Sequence, residues 1–535
     1  MTPAAAYRFV ARPRPKISPY RMVSQPASMP PPVGGWNARD ALPSMPLTDC
    51  VRLDNWIPDT ASVRLRKGFA PWTHGLSVGS GVIESLMEYA PPTGANKLFA
   101  ATASTTASAI YDVTNTTEPG AIGAPVVTGK NSGRWQHAQF ANASGNYLYI
   151  ANGANTPMVY DGTTWADSTF AGTGLTMSNL IGVISHMNRL WFIEKNTLNT
   201  WYAPVSQIGG SSPGLTKFLP PFKLGGALLA MASWSRDGGQ GPDDYLVMIT
   251  TKGEAVVYAG TDPSSSSTSA LVGVFKLPEP IGARCFLKIG SDLGVLTSQG
   301  IVPFSGVLGQ SQSGAGQSAI SNKIVAAFKT AYIGRGTIFG WQLIEYPKQN
   351  LLICNVPMTE GVEQSQYVMN TNTGSWCRFT GINAGCWSML GDKIYFGGNN
   401  GTVYLYDTDY LDDGNAIIAT VQTAYSTFGT PANKQFTMAR PLFLAPPSYT
   451  PQVYIRTDYD TAQPAMEVVT TPDVGAPWNT SDWNTAVWGA AQVPSLPWQS
   501  VQGIGMAGSI AFAVSARTEL VFNGVDVLFE VGGML

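Results

Sequence analysis

Between Asn96 and Asp407 the chain repeats one pattern seven times: a short apolar strand, a turn of a few residues, then a hairpin of two more strands. The hairpins open at Asn96, Asn146, Asn188, Asp244, Asp292, Asn350 and Asp392 and run into alternating large apolar residues. Asn and Asp bond to their own turn backbone, and a period of two suits a half-buried strand. Most hairpins follow another apolar run, such as IESLMEYA, RWQHAQF or AGCWSML. The starting points lie 42 to 58 positions apart, close to the roughly 40 to 50 residues of a four-stranded propeller blade. No WD dipeptide or kelch glycine pair recurs at a fixed place, so the repeat is structural rather than literal. The pattern predicts an all-β chain built on a β-propeller of about seven blades, with stacked β-sandwiches as the alternative.

The repeat divides the chain into four segments. Residues 1–33 carry Arg8, Arg12, Arg14, Lys16 and Arg21, no Asp or Glu, and a Pro-rich close. That composition predicts an extended basic arm without a core of its own, lying along a neighbour or ending as a tail. In residues 34–81, Cys50 to Ile57 and Ser62 to Lys67 alternate apolar and polar around Pro58-Asp59-Thr60, which predicts a hairpin. Residues 82–413 hold the propeller. Residues 414–535 keep β character but lose the hairpin spacing, as a separate β domain or as strands pairing with the Gly34 segment outside the ring. An additional β domain formed by the N- and C-terminal segments is therefore expected. The best helix candidate is KIVAAFKTAY from Lys323, with Ser321-Asn322 as its cap.

Charged residues make up only 12% of the chain and the net charge is −2. Such a surface gives little repulsion between copies and suits a protein packed against itself. It argues against holding nucleic acid by phosphate neutralisation, while leaving room for DNA to slide past ungripped. The five cysteines form no CxxC pair, which reads as scattered reduced thiols in a chain made in a cytoplasm. No apolar run reaches the roughly 18 residues that span a bilayer, and the arginines near the N-terminus stand in the wrong order for a secretory signal.

Candidate chemistry is sparse. Only His74, His137 and His186 occur, the last two inside apolar strands, which reads as packed, hydrogen-bonded residues rather than catalysts or metal ligands. Gly210-Ser211-Ser212-Pro213-Gly214 has the letters of a nucleophile elbow. It lies in a Gly/Ser/Pro loop, however, and Pro213 removes an N–H that an oxyanion hole needs. Gly503-Ile504-Gly505-Met506-Ala507-Gly508 matches GxGxxG but leads into β-rich SIAFAVSA, which predicts a glycine-rich turn rather than a dinucleotide site. Asp407, Asp409, Asp412 and Asp413 lack the Glu of an EF-hand loop and read as turn carboxylates, a divalent cation in some other geometry being the alternative. No catalytic residue, cofactor or metal site is expected.

Gly34-Gly35-Trp36-Asn37-Ala38-Arg39-Asp40, then Leu53-Asp54-Asn55, then Arg64-Leu65-Arg66-Lys67-Gly68-Phe69, resemble the opening of tail proteins of short-tailed bacteriophages. Val295 to Pro303, Val368 to Phe379 and Ile394 to Gly401 are similar to later propeller blades of the same proteins, in the same order. The resemblance is to the tail nozzle or hub family, the tail tubular protein B-like propellers. It implies a structural virion protein rather than an enzyme: a homohexamer below the adaptor that continues the DNA channel and takes part in genome retention and ejection. The implied partners are further copies, the adaptor or head-to-tail connector, tail fibres or tailspikes, and double-stranded DNA in passage. The implied location is the virion tail, assembled in a bacterial host cytoplasm. Another tail-tube component stays open beside the nozzle. Interaction residues are expected outside the repeat: Arg8, Arg12, Arg14, Lys16 and Arg21 of the arm, with Trp36, Arg39 and Trp56. The competing expectation is a glycan-active propeller, hydrolase or lectin, acting on bacterial surface polysaccharide, with carboxylates gathered at one channel mouth.

Overall fold

The computed structural model describes residues 24–532 except 74–80, 104–106, 116–118, 121, 238–241, 266, 308–318, 446–450, 463–468 and 471–492. Arg8, Arg12, Arg14, Lys16, Arg21 and His74 lie outside the described residues.

Seven antiparallel blades form the propeller; five are separate small sheets, and the last two belong to a larger sheet that runs on into the sandwich. The leading strands of the blades are Ile83–Tyr89, Gln136–Asn142, Leu180–His186, Leu228–Asp237, Phe286–Ile289, Gln342–Tyr346 and Ala384–Leu390. Each packs beside the next, and the seventh packs beside the first, so the ring is closed. The seven hairpins predicted from the sequence supply the second and third strands of the blades. In several of them the alternation of a half-buried strand gives way to continuous burial, as along Tyr147 to Ala151, because a blade is covered by a neighbour on both faces.

Blade 5 departs from the four-stranded pattern, and blade 7 from the local order of strands. Blade 5 has three strands, Phe286–Ile289, Asp292–Thr297 and Gly300–Pro303. The helix Val325–Tyr332 packs against the last of them and buries Phe328 and Ala331. Its expected cap is used elsewhere: the Ser321 hydroxyl accepts the Ile301 N–H at 2.9 Å instead of capping the helix. Blade 7 takes its outer strand from far upstream. Phe69–Pro71 pairs antiparallel with Val403–Tyr406, Phe69 opposite Tyr406 and Pro71 opposite Tyr404. A strand from before the first blade thus closes the last one.

Beside the ring stands a β-sandwich made from both ends of the chain. One sheet joins Gln25–Met29, Val521–Val531, Lys434–Ala445, Val63–Leu65 and Trp56–Pro58. The other runs from Asp49–Asp54 through Asn415–Thr423 and Gly508–Ala516 to Val453–Thr457. Aromatic rings fill the space between: Phe512 lies 5.0 Å from Phe522 and 6.2 Å from Trp56, and Phe443 lies 5.2 Å from Phe522. The single strand predicted over Cys50 to Ile57 is two. Asn55, in the left-handed region at φ 63°, turns the chain from one sheet of the sandwich into the other.

Candidate functional site

The motifs Gly34–Asp40, Leu53–Asn55 and Arg64–Phe69 meet the strand Ser375–Phe379 where the ring joins the sandwich. Gly35–Trp36 lies parallel to both Asp49–Asp54 and Ser375–Phe379, joining blade 6 to the sandwich. Gly35 has φ +80°, and a Cβ there would come within 2.4 Å of the Trp376 carbonyl oxygen, so only glycine fits. Asn37 donates to Asp40 and Asp49 at 2.9 and 2.8 Å, while its own oxygen accepts the N–H groups of Arg39 and Asp40. Lys323, beside the helix, donates to Asp49 and to the Gly34 carbonyl at 2.8 and 2.9 Å.

A second knot surrounds Arg66, which is fully buried. Its guanidinium donates to the Asn55 side chain, to the carbonyls of Lys67 and Thr380, and to both carboxylate oxygens of Asp412 at 2.8 and 2.5 Å. Asn55 is saturated as well: it accepts from Thr380 N and Arg66 and donates to Thr380 Oγ1 and the Ile418 carbonyl. Nearby, Arg378 forms a bidentate pair with Asp54 at 2.8 and 2.7 Å, and Thr420 donates to the same carboxylate at 3.0 Å. Bidentate, charge-assisted bonds are the strong and directional kind. They fasten blade 6, blade 7 and both sheets of the sandwich at one place.

A half-open cleft of about 920 Å³ lies over this knot. Asp54, Arg378, Asp412, Asp413 and Tyr404 line it, and Val362 and Ile418 face it while 63% and 57% exposed. Clefts between packed units are common binding positions.

The ring's axial channel is a separate and narrower space of about 230 Å³. Its lining has Leu86, Ile184, Met231 and Phe286 beside Gln136, His137, Arg284 and Gln342. One mouth opens into a cavity of about 650 Å³ in which, among the described residues, Glu279 is the one lining carboxylate. His137 faces the channel and is solvent-exposed there, beside Arg284. His186 is buried, its Nδ1 3.0 Å from Ser233 Oγ, and burial holds its pKa at about 4. All five cysteines are free and buried, and burial pushes the thiols of Cys285 and Cys386 up to about 12. Among the described residues no group of His, Cys, Asp or Glu is placed to hold a metal ion. The Asp-rich turn is occupied by the fold: Asp407 accepts the Tyr346 hydroxyl at 2.6 Å, Asp412 takes Arg66, and Asp413 takes the Tyr404 hydroxyl at 3.3 Å.

Of the expected interaction residues, Trp36 lies at the junction, edge-on to Tyr367 at 5.3 Å, and Arg39 is exposed and paired with Asp40 at 2.7 Å. Arg39, followed by Asn37, holds the Asp40 carboxyl below its ordinary pKa. Trp56 is wholly buried between the sandwich sheets. Arg66, Asp54, Arg378 and Asn55 were not legible as a group. Their only signal was membership of short motifs, and Arg378 stands 324 positions from its partner Asp54.

No family model matches the chain, and no curated protein matches it. Solved structures with a similar course include the WD40 β-propeller domain of Doa1, at 7% identity and TM-score 0.39 over 64% of this chain and 98% of that one. The β-propeller domain of Cps50 (Swd1) from Myceliophteria thermophila gives 10% identity and TM-score 0.36 over 64% and 99%. The exo-β-1,3-galactanase of Phanerochaete chrysosporium gives 9% identity and TM-score 0.25 over 73% and 95%. At these values the assignment rests on the chain's own seven blades and their closed order: the protein is a seven-bladed β-propeller with a β-sandwich built from its N- and C-terminal segments.

Proposed function

We propose that the protein is a structural component of a phage tail, a nozzle or hub subunit that assembles with copies of itself around a DNA channel. The observation that carries this reading is the use made of the family-like motifs. Gly35, Asn37, Asp54, Asn55, Arg66 and Gly68 are all spent on joining ring to sandwich, and of these Asp54 and Asn55 also border the cleft. A rigid joint of this kind suits a wall element that bears load. In this reading DNA passes through the lumen of the assembly rather than through the subunit's own channel, a space of about 230 Å³. Closing such an assembly requires heterologous contacts related by cyclic symmetry. No helix of the described residues is long and apolar enough to cross a membrane.

Electron microscopy of the purified protein, alone and mixed with adaptor rings, tests the proposal. Rings of about six copies are expected. A monodisperse monomer under every assembly condition, together with absence from virions, would overturn it.

A glycan-active role is the second reading, and the 920 Å³ cleft is the observation that favours it. Its carboxylates lie at the ring–sandwich joint rather than at the channel mouth. Release of reducing sugar from host polysaccharide, abolished by Asp413→Asn, is the result that reading requires.

A further inference from the structure

Arg284 stands at the head of blade 5 with its guanidinium turned to the axial channel. It donates to Ser85 Oγ at 2.8 Å, to the Glu84 and Trp135 carbonyls at 3.1 and 3.2 Å, and to Gln342 Oε1 at 3.4 Å. Every one of these acceptors is neutral. The carboxylate whose charge reaches it most directly, Glu84, is bonded to Arg134 at 2.8 Å, and Arg134 also takes Glu360 at 2.5 Å. Arg284 therefore makes no ion pair among the described residues, in contrast to Arg66, Arg134 and Arg378.

The space it faces has no compensating charge either. Among the described residues, the lining of the 230 Å³ channel holds no Asp or Glu; its polar members are Arg284, His137, Gln136 and Gln342, and the rest is largely aliphatic. Around its mouth stand Arg134, Glu279 and Tyr332, with Glu279 3.5 Å from Lys252 and bonded by the Tyr332 hydroxyl at 3.2 Å. Arg284 is half-buried, with the Phe339 ring centred 5.3 Å from its guanidinium carbon; a partly desolvated cation without a counter-charge is unfavourable, and an anion from solution relieves it.

We propose that the axial channel binds a small oxyanion, with Arg284 as its charge partner, His137 and the Gln136 amide as donors, and Ile184, Met231 and Phe286 as an apolar wall; Gln342 is held in place by Trp387. A carboxylate carrying a short alkyl tail fits this combination of head and wall. The inference is independent of the tail-protein reading, since it concerns the interior of a single ring.

The test uses the full chain and the His137 Cε1–H resonance, assigned by its loss in His137→Gln, titrated separately with hexanoate and inorganic phosphate. A saturable shift at His137 is expected while His186, buried elsewhere, stays unmoved. Binding is stronger at pH 5 than at pH 7, because an anion favours the protonated imidazole. Arg284→Gln also loses the bonds to Ser85 and Trp135 and tests folding as much as binding. Gln136→Glu is therefore the decisive variant: it supplies a carboxylate within the channel and is expected to weaken binding by about tenfold or more. Saturable binding of either anion, lost in Gln136→Glu, upholds the site, and tighter binding of hexanoate upholds the apolar wall. Absence of a saturable shift, or equal binding by Gln136→Glu, overturns the proposal.

Discussion

Arg66 and Asp412, 346 positions apart in sequence, meet in a bidentate ion pair of 2.8 and 2.5 Å with the arginine side chain wholly enclosed. The pair ties the segment before blade 1 to the segment after blade 7. Removing one partner strands the other's charge, a change that typically costs about 3–5 kcal/mol in a buried pair. Asp412→Asn is expected to lose stability on that scale in denaturant titration. Arg66→Met with Asp412→Leu is expected to recover part of the loss, which would separate burial of an unpaired charge from the worth of the pair.

Gly35 offers a sharper test of the joint. Alanine there combines a left-handed backbone with a Cβ 2.4 Å from a carbonyl oxygen, and either strain alone costs about 1–3 kcal/mol. Gly35→Ala is expected to lower the unfolding midpoint strongly. Gly374→Ala, also at positive φ but with nothing near its Cβ, is expected to lower stability by about 1 kcal/mol.

Trp56 separates core from interface. Its burial between the sandwich sheets predicts that Trp56→Ala loses about 3–5 kcal/mol. Arg39→Ala, at an exposed pair, is expected to change stability by less than about 1 kcal/mol. If Trp56→Ala left thermal stability intact and affected only assembly, the placement of its ring in the core would be wrong.

His186 makes stability depend on pH. Burial holds its folded pKa at about 4, below the ordinary value near 6.5. The unfolded chain thus binds a proton that the folded chain refuses, so stability is fully present above about pH 6.5 and falls as pH drops toward 4. The full difference is about 3 kcal/mol. His186→Gln is expected to flatten that part of the curve while leaving stability at pH 8 little changed.

The buried cysteines give a readout of global unfolding. With Cys50, Cys285, Cys354, Cys377 and Cys386 all free and enclosed, a thiol reagent at pH 8 is expected to react with none of them rapidly in the native protein and with all five in denaturant.

The ring was legible in the sequence because each blade is local: a turn-forming Asn or Asp followed by apolar residues at strand spacing describes a hairpin without reference to the rest of the chain. The same reasoning extended to Cys50–Ile57 read one strand where there are two, because the kink at Asn55 is held by Thr380, Ile418 and Arg66, all outside any local window. Ser321 was likewise a sound helix cap by composition, yet a backbone N–H twenty residues upstream claimed its hydroxyl. The joint around Arg66 and Arg378 escaped for the same reason: its partners come from opposite ends of the propeller, and charge alone does not tell Asp412 from Asp409. His137 and Arg284 are brought to one channel only by ring closure.

The outer strand of blade 7 sets an order of events for a chain emerging from the ribosome. Phe69–Pro71 is made early but meets Val403–Tyr406 only after the six preceding blades exist, and Gln25–Met29 waits still longer for Val525–Phe529. The N-terminal strands therefore spend most of synthesis as unpaired edges, exposed to mispairing with other nascent chains. A product truncated before residue 520 keeps its hairpins and loses the partner of Gln25–Met29, leaving that edge open.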